Sequence, residues 1–313
     1  MKNRRDLLNR LAAGGAAAWF GFGRGLAAAE TAGAQKPALS FGIIADVQYQ
    51  DIPPQGKRSY RDSLKKLEQC VEEFKGLKPD FIIQLGDLIN GGFASYDAVL
   101  PICVELPSPL YHVIGNHDLA VEPENKAKVL ARLGLDKLGE GKGWYDFARP
   151  GWRFVVLNGN DISMAAPGAE ERKAAEALLA DLKKRKAENA TVWNGAAGPR
   201  QLEWLKKTLA SAAAAGEKAM VFCHFPLLPA GNSTLWNGPE AIAALDSSKC
   251  VVAYICGHVH GGNYAQAGGI HYLTVKGMVE NDPTAFALME VLPDGLRETG
   301  FGREPSRTLK FAT

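Results

Sequence analysis

Residues 39–48 read Leu-Ser-Phe-Gly-Ile-Ile-Ala-Asp-Val-Gln, an apolar run that ends in two polar residues, Asp46 and Gln48. A short run of this kind predicts a strand that is covered on both faces, as in the sheets of α/β proteins. Four later apolar segments also end in polar motifs: Gly86-Asp87, Gly115-Asn116-His117-Asp118, His224 and Gly257-His258-Val259-His260. The pattern predicts an α/β fold that gathers reactive side chains in the loops at the carboxyl ends of its strands.

Length and composition restrict the class of protein. The chain has 313 residues, of which 46% are hydrophobic and 22% charged, as in ordinary globular proteins. The formal net charge is only +2, and this small value indicates no basic surface for a nucleic acid. We therefore expect no nucleic-acid polymer as a partner. Five cysteines without a CxxC spacing favour buried free thiols, although one disulfide bridge remains possible.

The first 29 residues differ from the rest of the chain. Arg4-Arg5 precedes a stretch rich in alanine and glycine, which is followed by Ala27-Ala28-Ala29. This pattern resembles a twin-arginine export signal over residues 1–29, with a linker at 30–37. We therefore expect export machinery as a partner and a periplasmic or secreted protein. The apolar stretch is too short for a stable membrane span. The alternative is an N-terminal amphipathic helix or an uncleaved anchor.

Strands and helices alternate through the first part of the body, and strands dominate its end. Helical spacing begins at Asp62 and recurs over 170–186 and 199–209. Apolar segments at 270–275, 285–291 and 296–300 predict closing antiparallel strands. The pattern indicates one domain over residues 38–304, a layered β-sandwich flanked by helices, and a C-terminal tail at 305–313.

The polar motifs contain the residue types that bind divalent cations. Asp46 and Gln48 are two residues apart, as are His258 and His260, so each pair can face one cavity from an extended segment. The candidate ligands are Asp46, Gln48, Asp87, Asn116, His224, His258 and His260. Oxygen and imidazole ligands without thiolate favour Mn²⁺, Fe or Zn²⁺ over Ca²⁺, and Mg²⁺ remains possible. Asp87, central in the order, is the natural bridge between two cations.

Two neighbouring cations suit displacement at phosphorus, because they clamp the attacking and leaving oxygens. A water that bridges them loses a proton more easily and becomes the nucleophile. His117 follows a candidate ligand and is placed to donate a proton to the leaving group or to hold phosphate charge. Asp118 is a candidate to orient His117. We therefore predict catalytic roles for His117 and Asp118 and a small phosphorylated molecule as the substrate.

These motifs resemble the pattern D-x-H, G-D, G-N-H-D/E, H and G-H-x-H of the calcineurin-like metallophosphoesterase superfamily. The resemblance implies a four-layer α/β/β/α fold with two metal ions. It implies that one ion is held by Asp46, Gln48, Asp87 and His260. It implies that the other is held by Asp87, Asn116, His224 and His258. Gln48 stands where the superfamily usually has histidine, and this neutral oxygen ligand favours harder cations such as Mn²⁺.

The segments 41–49, 195–205, 236–237 and 257–264 are similar to the manganese-dependent ADP-ribose/CDP-alcohol diphosphatase family. That resemblance implies a hydrolase acting on phosphoester or phosphoanhydride bonds of nucleotide-linked substrates. A periplasmic phosphomonoesterase or phosphodiesterase with another substrate is the alternative, since the export signal separates this chain from cytosolic relatives. A non-catalytic metal-binding module is a lesser alternative.

Residues outside the motifs supply candidate substrate contacts. Trp193 and Trp236 occupy predicted loops, where an indole can stack on a nucleobase or cover the edge of the core. Asn90 follows the Gly86-Asp87 strand end and is a candidate phosphate contact or a turn residue. Arg58 and Arg61 are weaker candidates for a diphosphate. The two remaining histidines, His112 and His271, lie in predicted strands and are expected to be structural.

Overall fold

The computed structural model describes residues 37–312. The predicted export signal at 1–29 and all but the last residue of the 30–37 linker therefore lie outside the described residues. Between residues 37 and 312, no helix is long and apolar enough to cross a membrane.

The predicted alternation of strands and helices is present. The strands are β1 (Leu39–Ile44), β2 (Phe81–Gln84), β3 (Leu110–His112), β4 (Tyr145–Arg149), β5 (Trp152–Val156), β6 (Ile162–Ser163), β7 (Gly195–Ala196), β8 (Lys218–Phe222), β9 (Val251–Cys256), β10 (Asn263–Ala267), β11 (Ile270–Thr274), β12 (Ala285–Leu292), β13 (Gly295–Gly302) and β14 (Arg307–Lys310). The α-helices are α1 (Ser63–Leu77), α2 (Ser95–Val104), α3 (Val129–Arg132), α4 (Ala169–Lys184), α5 (Pro199–Ala214) and α6 (Gly238–Asp246).

Two six-stranded sheets carry the fold. The strand order is β14-β13-β12-β1-β2-β3 in the first sheet and β10-β11-β9-β8-β5-β4 in the second. Strands β1, β2 and β3 run parallel to one another. In the second sheet β5, β8, β9 and β11 are parallel neighbours. The parallel strands of each sheet therefore end at a common edge, from which the loops of the predicted motifs emerge.

Aromatic side chains fill the space between the sheets. Phe41 of β1 stacks on Phe81 of β2, with ring centroids 4.9 Å apart. Both rings contact Phe154 of β5 in the opposite sheet, at 5.9 and 4.9 Å. Phe222 of β8 completes the contact across the layers, 5.9 Å from Phe41. All four side chains are fully buried, so the main core lies between the sheets.

Helices cover the outer faces of both sheets. Successive residues of a strand point to opposite faces, and Gly42, next to Phe41, faces α1. A Cβ atom at Gly42 would lie 2.7 Å from the ring of Phe74 of α1, so the helix packs directly on the strand. On the second sheet, Leu205 and Leu209 of α5 belong to one buried cluster with Val221 of β8. The order helix, sheet, sheet, helix confirms the predicted four-layer fold.

Two predicted features differ from the structure. Residues 305–313 do not form a separate tail, because β14 pairs with β13 and buries Leu309. The segment 270–275 is not a closing antiparallel strand of the kind predicted, since β11 pairs in parallel with β9 and antiparallel only with β10. The first error concerns an edge strand: β14 is short and largely exposed, so its sequence lacks the apolar alternation that identifies buried strands. The second concerns an interior strand: all five residues of β11 are buried, and an apolar run does not reveal whether its neighbours are parallel or antiparallel.

Candidate metal centre

All seven predicted ligands lie together at the edge where the parallel strands end. Those in the first sheet follow β1, β2 and β3, and those in the second follow β8 and β9. The convergence is tightest around Asp87, His224 and His258, each of which offers a ligand atom within 4.8 Å of the other two. Segments more than a hundred residues apart in sequence thus deliver carboxylate, amide and imidazole groups to one centre.

Asp46, Gln48, Asp87 and His260 form one half of the centre. The Nε2 atom of Gln48 donates to Oδ2 of Asp87 at 3.0 Å and lies 3.2 Å from Nε2 of His260. The same nitrogen of His260 lies 3.4 Å from Oδ1 of Asp46. The four side chains implied for the first cation are therefore mutual neighbours.

The other half consists of Asp87, Asn116, His224 and His258. Nε2 of His224 lies 3.2 Å from Oδ2 of Asp87 and 3.1 Å from Oδ1 of Asn116. It also lies 3.1 Å from Nδ1 of His258. Oδ2 of Asp87 thus faces both Gln48 and His224 and is shared by the two halves, which is the position that a bridging carboxylate requires.

The outer ring nitrogens of two imidazoles are held by neutral oxygens. Nδ1 of His224 lies 2.8 Å from the backbone carbonyl oxygen of Leu85. Nε2 of His258 lies 3.3 Å from Oδ1 of Asn194, a fully buried amide. A carbonyl oxygen only accepts, so each of these outer nitrogens carries the proton. The inner nitrogens, Nε2 of His224 and Nδ1 of His258, are left with free lone pairs toward the centre.

His260 is oriented by a carboxylate. Its Nδ1 donates to Oε1 of Glu280 at 2.9 Å, which leaves Nε2 for the centre. The sequence analysis missed both Glu280 and Asn194. Neither residue belongs to a motif, and the only nearby signal was Trp193, which directly precedes Asn194.

The donor set fits two divalent cations. When the outer nitrogen carries the only proton of the His224 ring, Nε2 has a lone pair, yet its neighbours within 3.2 Å include the acceptor oxygens of Asp87 and Asn116. Acceptors that face one another without a shared proton repel, and a cation at their centre removes the repulsion. In addition, Oε1 of Gln48 is buried and has no hydrogen-bond partner among residues 37–312. Such an orphaned oxygen is an available ligand for a hard cation.

Electrostatics within the centre also suit cations. Burial lowers the pKa of His224, but the carboxylates of Asp87 and Asp46 outweigh it and raise this pKa to about 9. Burial raises the pKa of Asp87, yet the positive charge of His224 and the nearby imidazoles reverses the effect and holds this pKa below its usual value. The carboxylate of Asp87 is therefore ionised at neutral pH and offers a full negative charge between the two halves.

The backbone is strained at four of the ligands. Asp46, Gln48, Asp87 and His258 have φ angles of 49°, 45°, 55° and 68°, in the left-handed region that side chains other than glycine rarely adopt. Such conformations cost on the order of 1–3 kcal/mol each and persist only where the surroundings enforce them. Here they accompany the turn of these four side chains toward the centre. At Gly257 a Cβ atom would lie 2.6 Å from Oδ2 of Asp46, so the loop requires glycine there.

His117 stands beside the ligands with one nitrogen free. Its backbone N–H donates to Oδ1 of Asp87 at 2.7 Å, and its Nδ1 lies 2.9 Å from the backbone carbonyl oxygen of Asn90. Asn90 therefore acts through its main chain, because its side-chain amide is occupied by Gln50 at 2.6 Å. The structure gives Asn90 a role in holding His117, and its side chain is not among those that line the cavity beside the centre.

Asp118 does not orient His117, and that prediction is wrong. Its buried carboxylate accepts hydrogen bonds from the backbone N–H groups of Asp87, Leu88 and Gly115 at 2.8–3.0 Å. The side chains of His117 and Asp118 diverge because the 3-10 turn at His117–Leu119 points consecutive residues in different directions. Asp118 instead ties the loop after β2 to the loop after β3, which fixes the positions of the ligands Asp87 and Asn116.

The centre opens into a cavity of about 520 Å³. The cavity walls include His117, Arg58, Trp193 and Ser233, next to the ligands Gln48, Asp87, Asn116, His258 and His260. Trp193 leaves 49% of its surface exposed, which is unusual for a tryptophan and provides an accessible aromatic face. The structure thus places Trp193 beside the metal ligands, where an indole can reach a substrate.

Trp236 occupies a different environment. It is 3% exposed, packs in a small cluster with Leu179 and Leu182 of α4, and its indole N–H donates to the carbonyl oxygen of Thr191 at 3.1 Å. The prediction that Trp236 contacts substrate is therefore wrong, and the alternative of a core-edge residue is correct. His112 and His271 are also structural: the first is buried beside Gln84, and the second binds the carbonyl oxygen of Lys310.

Comparison with known proteins places this centre in a family. Residues 39–262 match the family model for Calcineurin-like phosphoesterase. A relative from Xenopus tropicalis, named Manganese-dependent ADP-ribose/CDP-alcohol diphosphatase, is 32% identical over 88% of this chain and 95% of its own. A human relative with the same name is 28% identical over 87% of this chain and 93% of its own.

The solved structures agree. The structure of a dimetal phosphatase from Danio rerio superimposes with a TM-score of 0.80 and 25% sequence identity, covering 88% of this chain and 100% of that one. Fold, ligand set and relatives all indicate a metal-dependent hydrolase of phosphorus ester or anhydride bonds. With the family model matched over residues 39–262, this chain belongs to the calcineurin-like phosphoesterase family.

Proposed function

We propose that this chain is a manganese-dependent diphosphatase that hydrolyses small nucleotide-linked diphosphates of the ADP-ribose or CDP-alcohol type. The proposal is carried by one arrangement: the exposed indole of Trp193 and the guanidinium of Arg58 share a cavity with the metal ligands. A nucleoside diphosphate ester needs an aromatic surface for its base and a second positive group for the phosphate that does not react. A simple phosphate ester needs neither of these groups.

Each residue of the cavity has a distinct task in this reaction. When bound, two divalent cations supply Lewis-acid catalysis and charge neutralisation at the phosphorus. His117, whose Nδ1–H is held by the carbonyl oxygen of Asn90, faces the cavity with Nε2 and in its imidazolium form donates the Nε2 proton to the leaving oxygen, which leaves the neutral ring. Arg58, whose side chain is 39% exposed, binds the neighbouring phosphate. Trp193 stacks on the base and sets the distance between base and phosphates.

Manganese is favoured by the ligands of the half that contains Gln48. That half offers two carboxylates, one amide and a single imidazole, a set richer in oxygen than one with a second imidazole in place of Gln48. Oxygen ligands suit Mn²⁺ better than Zn²⁺, which gains more from nitrogen. The names of the Xenopus tropicalis and human relatives, which include manganese dependence, support the same choice.

A substrate panel tests the proposal. The purified enzyme with Mn²⁺ is given ADP-ribose, CDP-choline and an aryl phosphate at equal concentrations, and nucleoside monophosphate is quantified by chromatography. We expect the two nucleotide substrates to be turned over with higher kcat/KM than the aryl phosphate, with AMP and CMP as products. Turnover of the aryl phosphate alone would favour the alternative, a phosphomonoesterase or phosphodiesterase with another substrate. Inactivity of the wild type toward every substrate would favour a non-catalytic module.

We also propose that the chain acts outside the cytoplasm. The support is the twin-arginine-like segment at residues 1–29, with its Arg4-Arg5 pair and Ala27-Ala28-Ala29. Cell fractionation of the full chain, with Arg4-Arg5→Lys-Lys as the matched variant, tests the proposal. We expect mature protein starting near residue 30 in the periplasm for the wild type and retention of the variant. An intact N-terminus in the exported protein would indicate an uncleaved anchor instead.

A further inference from the structure

Glu280 stands between a metal ligand and the arginine of the cavity. Its Oε1 accepts a hydrogen bond from Nδ1 of His260 at 2.9 Å, and the same oxygen lies 3.9 Å from Nε of Arg58. The Glu280 side chain is only 19% exposed, so water screens neither contact fully. The Glu280 carboxylate therefore contacts both His260, a predicted metal ligand, and Arg58, a residue that lines the cavity.

The segment that carries Glu280 is held rigidly against the end of β1. The backbone N–H of Val279 donates to the carbonyl oxygen of Asp46 at 2.9 Å. From the other side, the ammonium group of Lys66, which is 3% exposed, donates to the backbone carbonyls of Met278 and Glu280. A buried cation is costly and here serves to fix a backbone segment. Glu280 is thus a preorganised group.

The segment also approaches His260 closely. A Cβ atom at Gly277 would lie 2.8 Å from Cγ of the His260 ring, so this ring packs directly on the backbone. The backbone N–H of Gly277 donates to the carbonyl oxygen of His260 at 3.1 Å. These contacts leave the ring little freedom except the orientation that Glu280 selects.

The chemistry of this contact differs from that of the other two imidazole ligands. His224 and His258 donate to neutral oxygens of Leu85 and Asn194, whereas His260 donates to a carboxylate. A carboxylate on the outer nitrogen makes the inner nitrogen a stronger metal ligand. His260 is also the only imidazole in its half, where Gln48 contributes a weak neutral amide. Glu280 therefore strengthens the one imidazole ligand of the half in which Gln48 is a weak ligand.

We infer that Glu280 is a positioning residue that strengthens cation binding by the half containing His260 and that holds Arg58 in place for the substrate. The first part stands on the metal ligands alone. The second part rests on the proposed function, because it assigns Arg58 to a phosphate of the substrate.

Cation binding tests the first part without any nucleotide. Free Mn²⁺ is measured by electron paramagnetic resonance during titration of metal-depleted wild type, Glu280→Gln and Glu280→Ala. The glutamine keeps an acceptor for His260 but lacks the charge, whereas the alanine lacks both. We expect one of the two Mn²⁺ equivalents to weaken by ~10-fold or more in Glu280→Gln, further in Glu280→Ala, with the other equivalent unchanged.

Glu290→Gln is the matched control. Glu290 is 16% exposed and accepts two hydrogen bonds from Arg297 at 2.8 Å, so it is as buried and as well paired as Glu280, but it lies on β12. We expect both Mn²⁺ equivalents to bind this control as in the wild type. Unchanged binding in Glu280→Gln would overturn the inference. Equal weakening of both equivalents together with a lower Tm would also overturn it, since that result indicates a structural role.

Binding of inorganic phosphate at saturating Mn²⁺, measured by isothermal titration calorimetry, tests the second part. We expect Arg58→Ala and Glu280→Gln each to weaken phosphate binding, and the double variant to lose little more than Arg58→Ala alone. Strictly additive effects would show that Glu280 does not act through Arg58. Because only Mn²⁺ and phosphate are used as ligands, a wrong assignment of the nucleotide substrate leaves both measurements interpretable.

Discussion

Nδ1 of His117 donates to the backbone carbonyl oxygen of Asn90 at 2.9 Å, and this hydrogen bond leaves Nε2 of His117 directed at the cavity. A backbone carbonyl is fixed by the fold, so it fixes the tautomer and orientation of the ring more firmly than a mobile side chain would. His117 is therefore placed beside the metal ligands with Nε2 free, and in its imidazolium form it can donate the Nε2 proton to a bound substrate.

Replacement of His117 by alanine is expected to separate chemistry from metal binding. Turnover should fall by ~10²–10⁴, because a positioned general acid contributes a factor of that size. Both Mn²⁺ equivalents should remain, as measured by elemental analysis after gel filtration. His271→Gln is the control, since His271 lies on β11 and binds Lys310 instead of the centre. Loss of a cation from His117→Ala would show that His117 is a ligand.

Substitution of Gln48 by histidine is expected to change which metal the centre prefers. The change adds an imidazole to the half that now has one, and Zn²⁺ gains more from nitrogen ligands than Mn²⁺ does. The ratio of Zn²⁺ to Mn²⁺ affinity should rise by about tenfold or more. Competition titrations of wild type and variant give this ratio directly, and an unchanged ratio would mean that Gln48 does not bind a cation.

Removal of the Trp193 indole is expected to affect nucleotide substrates selectively. Stacking of a base on an aromatic side chain contributes ~1–3 kcal/mol, so Trp193→Ala should raise KM for ADP-ribose by about tenfold. The kcat/KM for an aryl phosphate should change little. Trp236→Phe is the matched control: Trp236 is buried away from the cavity, so this variant should lose stability while keeping its substrate preference. Equal losses on both substrates would exclude stacking by Trp193.

Stability should depend on pH through a buried carboxyl group on β13 that is not one of the predicted ligands. Burial raises the pKa of Glu298 to about 8, and the charge of Glu304 adds to the shift, although Arg307 lies 2.9 Å away. The folded state therefore binds a proton that the unfolded state releases near pH 4.5, so this group reduces the free energy of unfolding as the pH rises from about 4.5 to about 8.

The variant Glu298→Gln isolates that contribution. Urea unfolding at several pH values should show the variant gaining stability relative to the wild type as the pH rises through this window. Glu290→Gln is the control, because it removes a carboxylate that is ion-paired with Arg297. This variant should show no such gain. A constant difference between wild type and Glu298→Gln from pH 5 to pH 8 would mean that Glu298 is ionised throughout.

The sequence predicted the ligands because they directly follow buried strands. Apolar runs identify the strands, parallel order brings their ends together, and the residues just beyond must then be neighbours. The partners of those ligands were not predictable in this way. Glu280 is 20 residues from His260, and Asn194 is 64 residues from His258. Asn194 precedes the short strand β7, and Glu280 lies well beyond the end of β11 rather than directly after it. Their contacts depend on how the loops pack in the folded chain, and a local sequence pattern does not predict that packing.

Two side-chain assignments failed for a related reason. Trp193 and Trp236 each directly precede Asn-Gly, yet one indole is exposed in the cavity and the other is buried against α4. Asp118 was predicted to orient its sequence neighbour His117, but its carboxylate accepts hydrogen bonds from the backbone N–H groups of Asp87 and Leu88. Adjacency in sequence does not determine contact at a turn.

The central claim is that Asp87 joins two halves of one dinuclear centre. Anomalous diffraction at the manganese edge from crystals grown with Mn²⁺ tests it most directly. The account predicts two peaks about 3.5–4 Å apart, one beside His260 and Gln48 and one beside His224 and His258, with the Asp87 carboxylate between them. A single peak, or two peaks that do not share Asp87, would contradict the account.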